Sequence, residues 1–206
     1  ASVLKEKGIR LRAHAKSHKC PEIAKIQIAK GAIGICCQKV SEAAVFVEAG
    51  IKDVLITNQI ISPTKVKKLF ELARSARMGI LVDHPKQVAV LLAEARLTGL
   101  EIDVYVEVNV GSNRCGVSAG KDAVALARLI AESAPLRFAG LHCYQGSAQH
   151  LRLPAERKTA IQEASKLAED IRDALVAEGM ACPRVTGAGT GTFLNECDSG
   201  IFDEVQ

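Results

Sequence analysis

The stretch DVYVEVNV, Asp103 to Val110, places valine at 104, 106, 108 and 110, with Tyr105, Glu107 and Asn109 between. Successive side chains of a strand point to opposite faces, so one face here is wholly apolar and the other carries a phenol, a carboxylate and an amide. On an open sheet the polar face would turn to water. In a closed parallel barrel it turns to the lumen, and the valines meet the surrounding helices. The rest of the chain decides between the two.

Outward from this stretch, short apolar segments alternate with amphipathic ones. Strands are expected at 9–16, 33–38, 53–58, 79–84, 137–144 and 184–189, with helices near 21–30, 41–49, 63–77, 85–98, 120–133 and 155–178. Ser41 with Glu42, the SPT run at 62–64 and Pro85 are helix-start signals. Parallel neighbours need crossover helices, so this rhythm predicts a parallel sheet. Seven strands, with DEVQ (203–206) as the beginning of an eighth, favour a (β/α)8 TIM-like barrel over an open doubly wound sheet. The expected barrel is incomplete at both ends, with an open edge, as in a fragment of a longer polypeptide forming one domain over 1–206.

The composition narrows the function classes. At 206 residues, 48% hydrophobic and 24% charged, the chain is long enough for a single substantial core. Aromatics make up 3% with no tryptophan, so the core rests on Ala, Val, Leu and Ile. The 27 basic and 23 acidic residues are dispersed, without the basic block and interleaved aromatics of a nucleic-acid surface. No apolar run approaches the roughly 20 residues of a membrane helix. The seven cysteines show no zinc-binding spacing and read as reduced thiols of a cytoplasmic protein.

Three segments carry candidate chemistry. In RLRAHAKSHK (10–19), strand parity groups Arg12, His14 and Lys16, with Lys16 at the strand end where barrel sites are built. Crowding by Arg12 and His14 would favour its neutral, nucleophilic form; a lysine snorkelling from the rim is the equal alternative. Glu107 beside Arg12 reads as an internal ion pair. TGAGTGT (186–192), after the seventh strand, is glycine-rich in the manner of a main-chain anion cradle. Arg114, in GSNRCGVS (111–118), is placed to bind an anionic oxygen or to form a surface ion pair. An electrophile-seeking lysine joined to a phosphate cradle suggests a phosphorylated aldehyde, and pyridoxal 5'-phosphate is the obvious one.

RAHAKSHKCPEIA, GICCQKVSEA, EVNVGSNRCGVS, AGLHCYQGSAQH and VTGAGTG occur in this order from residue 9 onward. Together they resemble the D-threonine aldolase, D-3-hydroxyaspartate aldolase and D-serine dehydratase family, fold type III pyridoxal-phosphate enzymes of the alanine-racemase-like class. The resemblance implies that Lys16 condenses with the cofactor aldehyde, with His14 as its tuning neighbour. It further implies that Arg114 contacts the ring oxygen, Tyr144 lines the ring, Gly189, Thr190 and Gly191 hold the phosphate, and Gln38 contacts cofactor or substrate. The implied reaction is retro-aldol cleavage of a D-threonine-like D-β-hydroxy amino acid to glycine and an aldehyde. Dehydration by the same cofactor, or a non-catalytic cofactor-carrying barrel, are the alternatives.

Family members are longer, homodimeric, and carry the ligands of a divalent cation, manganese or magnesium, in a C-terminal β-domain; no metal ligand is assigned within 1–206. Where the aldolases read Gly-Gly-Gly, this chain has Ala188, tolerable if its backbone angles are ordinary. His18, His84 and His150 have no assigned role. Cys36 and Cys37 must point to opposite faces, so at most one reaches the lumen.

Overall fold

The computed structural model describes residues 2–206. Eight parallel strands close into a barrel: β1 (Arg10–His14), β2 (Gly34–Cys37), β3 (Asp53–Ile56), β4 (Arg77–Val82), β5 (Ile102–Asn109), β7 (Leu136–Cys143), β8 (Val185–Gly187) and β9 (Glu204–Val205). The two-residue β6 (Val117–Ser118) pairs only with the end of β5, outside the ring. The expected open edge does not exist. Thr186 and Gly187 pair with Glu204 and Val205, which pair in turn with Arg10 and Leu11, so two residues close the ring.

Helices α2 (Pro21–Ala29), α3 (Val40–Glu48), α4 (Pro63–Ala73), α5 (Pro85–Thr98), α6 (Lys121–Ala131) and α7 (Pro154–Ala177) cover the outside. Four of them begin on proline, whose missing N–H and fixed φ suit the first helical position. Helix α4 stops at Ala73, short of the expected 77, because Arg77 already pairs with Asp53 as the start of β4. The short helices α1 (Ser2–Glu6) and α8 (Phe193–Asp198) carry too few residues to show a period in sequence.

The parity of β5 divides the interior. Val104, Val106, Val108 and Val110 lie in the main core with the helices, while Tyr105 joins Cys36, Leu55, Leu81 and Ala139 in a separate lumenal cluster. Cys37 belongs to the outer core, so the two neighbouring thiols do face opposite ways. Beneath the lumenal cluster lies an ionic floor. Arg12 donates to Glu204 Oε1 at 3.0 Å and to Asp53 Oδ1 at 2.6 Å, and Arg184 donates to the Tyr105 hydroxyl at 2.8 Å. Burial opposes the charge on Arg12, and Glu204 and Asp53 more than offset it, holding the guanidinium ionised.

The expected Arg12–Glu107 pair is therefore replaced. Arg12 serves the floor; Glu107, one lumenal layer higher, faces other partners. A bulge at Ala139 shifts the register of β7 on β5, pairing Phe138 with Val104 but Gly140 with Tyr105. Gly140 has φ 131°, and a methyl there would collide with the Arg184 carbonyl, so only glycine fits. The shift places His142 opposite Glu107, inside the barrel.

Candidate active site

The C-terminal ends of the strands surround an open cleft, the end at which barrel active sites are built. Lys16, His14, Gln38, Arg114, Tyr144, Gly189 and Thr190 all line it, joined by Thr57, His142, Ala188 and Gln206. Gly191 does not line it: its N–H turns away and donates to Gln149 Oε1 at 2.8 Å.

Lys16 lies two residues past the end of β1, in a turn opened by the Ala15 N–H donating to Cys36 O at 2.7 Å. Its basicity is lowered, first by partial burial and then by Arg114. Arg12 and His14 are not the cause. Arg12 is neutralised in the floor, and His14 is uncharged: burial, with Lys16 and His142 nearby, pushes its pKa down to about 3.

The His14 ring is instead a structural tie. Its Nδ1 accepts the main-chain N–H of Lys16 at 3.3 Å, which leaves the proton on Nε2, 2.9 Å from Thr57 Oγ1. The Thr57 hydroxyl donates to Cys37 O at 3.3 Å, and Gln38 Nε2 donates to Thr57 O at the same distance. Thr57 thus links the ends of three strands, a role visible only once those strands are adjacent.

Arg114 reaches over the cleft from the loop after β5. Its guanidinium carbon lies 5.3 Å from the Tyr144 ring centroid, and Nη2 lies 3.7 Å from Glu107 Oε1. Glu107, buried, also accepts from Gln59 and stands 3.8 Å from His142 Nδ1. That His142 nitrogen is buried with no hydrogen-bond partner, while Nε2 lies 3.4 Å from Gln206 Oε1. Gln206 reaches the cleft because β9, which precedes it, completes the ring.

The remaining histidines lie elsewhere. His18 Nδ1 accepts the Cys20 N–H at 3.0 Å and its ring meets Phe46 edge-on. His84 caps α5, accepting the Lys86 N–H at 3.1 Å, and His150 is exposed. Among the described residues no three His, Cys, Asp or Glu side chains are grouped to hold a metal ion. Ala188 departs from expectation: its φ of 75° lies in the left-handed region, a strained place for a methyl, which is buried with Leu4, Cys197 and Val205.

The residues fit a phosphorylated aldehyde. A lysine of lowered basicity faces the same cleft as the main chain of Gly189 and Thr190, whose N–H groups have no hydrogen-bond partner among the described residues. A closed parallel barrel with such a rim has the frame of a small-molecule site.

The chain belongs to the family described as alanine racemase, N-terminal domain, whose model matches residues 4–206. It is 44% identical over 198 residues to a D-threonine aldolase of Arthrobacter sp, covering 96% of this chain and 52% of that protein. It is 40% identical over 204 residues to a 3-hydroxy-D-aspartate aldolase of Paracoccus denitrificans (strain Pd 1222), covering 98% and 53%. The crystal structure of D-threonine aldolase from Filomicrobium marinum superposes with a TM-score of 0.98 at 48% identity, covering all of this chain and 56% of that one. The chain therefore spans about half the length of the relatives it matches. No helix among the described residues is long and apolar enough to cross a membrane.

Proposed function

We propose that residues 1–206 form the cofactor-binding barrel of a pyridoxal-phosphate-dependent aldolase that cleaves D-threonine-like D-β-hydroxy amino acids to glycine and an aldehyde. The observation that carries the reading is that Lys16, Gly189 and Thr190 line one cleft, the amides of Gly189 and Thr190 having no hydrogen-bond partner among the described residues. Similarity to two aldolases supports the reaction class. Bound there, pyridoxal phosphate supplies the electron sink for the pair released when the Cα–Cβ bond breaks.

The chain's own residues do the rest. Lys16 presents an amine that burial and Arg114 keep less protonated than an ordinary lysine, ready to attack a carbonyl and to be displaced by a substrate amine. His14, with both nitrogens engaged, holds the main chain of Lys16 and not its amine. The amides of Gly189 and Thr190 hold the anionic arm, and Gly191 contributes by shaping the turn. Tyr144 and Gln38 would border the cofactor ring, and Arg114, steadied by Tyr144 and Glu107, would supply a cation to its oxygen.

Homodimeric assembly and a manganese or magnesium ion are what the family resemblance implies, a cytoplasmic location is what the unpaired cysteines suggest, and no step above is routed through a cation. Product analysis with D-threonine tests the reaction: glycine with acetaldehyde supports it, and ammonia with a keto acid replaces it by dehydration. Lys16→Ala is expected to abolish turnover; retained turnover removes Lys16 from its role.

A further inference from the structure

Gly189 and Gly191 need an explanation that backbone angles do not give, because neither adopts the left-handed φ that favours glycine. The reason lies against them. A Cβ on Gly189 would fall 2.7 Å from Gln149 Cδ, and one on Gly191 would fall 2.9 Å from Gln149 Oε1. Gly189 and Gly191 carry no Cβ, so that one carboxamide can pack against both.

That carboxamide is fastened at both ends. Its oxygen accepts the Gly191 N–H at 2.8 Å, and its nitrogen donates to Thr192 Oγ1, also at 2.8 Å. The Thr192 hydroxyl donates onward to Glu196 Oε1 at 2.8 Å, and both Thr192 and Glu196 are almost wholly buried. Gln149 itself belongs to the 3-10 turn Gly146–His150 that follows β7, so the chain of bonds joins the loop after β7 to the loop after β8. Gln149 does not line the cleft, whereas Gly189 and Thr190 of the turn it packs against do.

We propose that Gln149 is a positioning residue for anion binding: by clamping Gly191 to Thr192 it holds the 189–191 turn with the Gly189 and Thr190 amides facing the cleft, and so sets the affinity for a ligand's phosphate group. The inference rests on the cofactor reading above, whose chemistry at Lys16 it leaves alone. A neutral clamp suits the task, since it orders the donors without placing a second negative charge beside the phosphate.

The test compares pyridoxal phosphate with pyridoxal, which offers the same aldehyde to Lys16 but no phosphate. Dissociation constants are read from the absorption change on binding. Gln149→Met keeps the packing and removes both hydrogen bonds; pyridoxal phosphate is expected to bind roughly ten-fold weaker, with pyridoxal changed by less than about two-fold. Gly191→Ala, whose methyl would push the carboxamide off, is expected to show the same selective loss and covers a failure of Gln149→Met to fold. Equal weakening of both ligands, or an unchanged or tightened affinity for pyridoxal phosphate, overturns the inference alone. A wild-type chain that holds pyridoxal phosphate no tighter than pyridoxal removes the cofactor reading as well.

Discussion

Arg114 stands 5.3 Å over the ring of Tyr144, so the loop after β5 is joined to the end of β7 across the mouth of the cleft. From there its charge reaches Lys16 and lowers the basicity of the amine, second only to burial. Arg114→Met is therefore expected to raise the Lys16 pKa toward the ordinary 10.5 without restoring it fully, because burial persists. Titration of 13C-dimethylated lysine signals, with Lys16 assigned through Lys16→Arg, reads this directly. An unmoved Lys16 signal contradicts it.

His14 is held neutral in the folded chain, its pKa pushed down to about 3 from an ordinary 6.5. Between those values the unfolded chain takes up a proton that the folded chain excludes. Stability is thus expected to fall as pH drops below 6.5, by about 1.4 kcal/mol per pH unit for this group. Gln in its place can still accept from the Lys16 N–H and donate to Thr57. Urea unfolding of His14→Gln at pH 6.5 and pH 4.5 should show a smaller acid loss than wild type, by about 2 kcal/mol; an equal loss contradicts the assignment.

Glu196 works in the opposite sense. Burial pushes its carboxyl up to about 7, offset only in part by the Thr192 hydroxyl. The unfolded chain ionises near 4.5 while the folded chain keeps its proton, so this group's contribution declines as pH rises from 4.5 toward 7. Glu196→Gln is expected to be more stable than wild type at pH 8, by about 2–3 kcal/mol, and to lose that advantage near pH 4.5. Thermal unfolding across the range measures it, and an advantage independent of pH contradicts it.

Arg12 holds the barrel floor, with Glu204 fully buried against it. Arg12→Leu leaves that carboxylate without its closest guanidinium partner, and removing one member of a buried pair costs about 3–5 kcal/mol. Closure at β9 depends on the same pair, since Glu204 is one of its two residues. Denaturant unfolding is expected to show the loss; a cost below about 1 kcal/mol would place Arg12 among ordinary surface pairs.

What the sequence made legible follows from local period. The alternation at 103–110 reported the lumen and the outer core, the adjacent Cys36 and Cys37 reported opposite faces, and proline marked the first turns of the helices. Contacts across the barrel were not legible. Glu107 and Arg12 share a lumen yet have different partners, and a bulge at Ala139 that no period shows sets Glu107 as the residue His142 opposes. The left-handed angle at Ala188 is imposed by the turn after β8 despite the methyl. In the cleft, Lys16 and the glycine-rich turn were readable as motifs because each is contiguous. Thr57, Gln149 and Gln206 were not, because each acts through partners from other parts of the ring.

The most direct measurement is peptide mapping after borohydride reduction of the chain mixed with pyridoxal phosphate. A single pyridoxyl group on Lys16, absent from Lys16→Ala and suppressed by competing inorganic phosphate, is the predicted result. Label spread over several lysines, or fixed on one outside the cleft, would contradict the account.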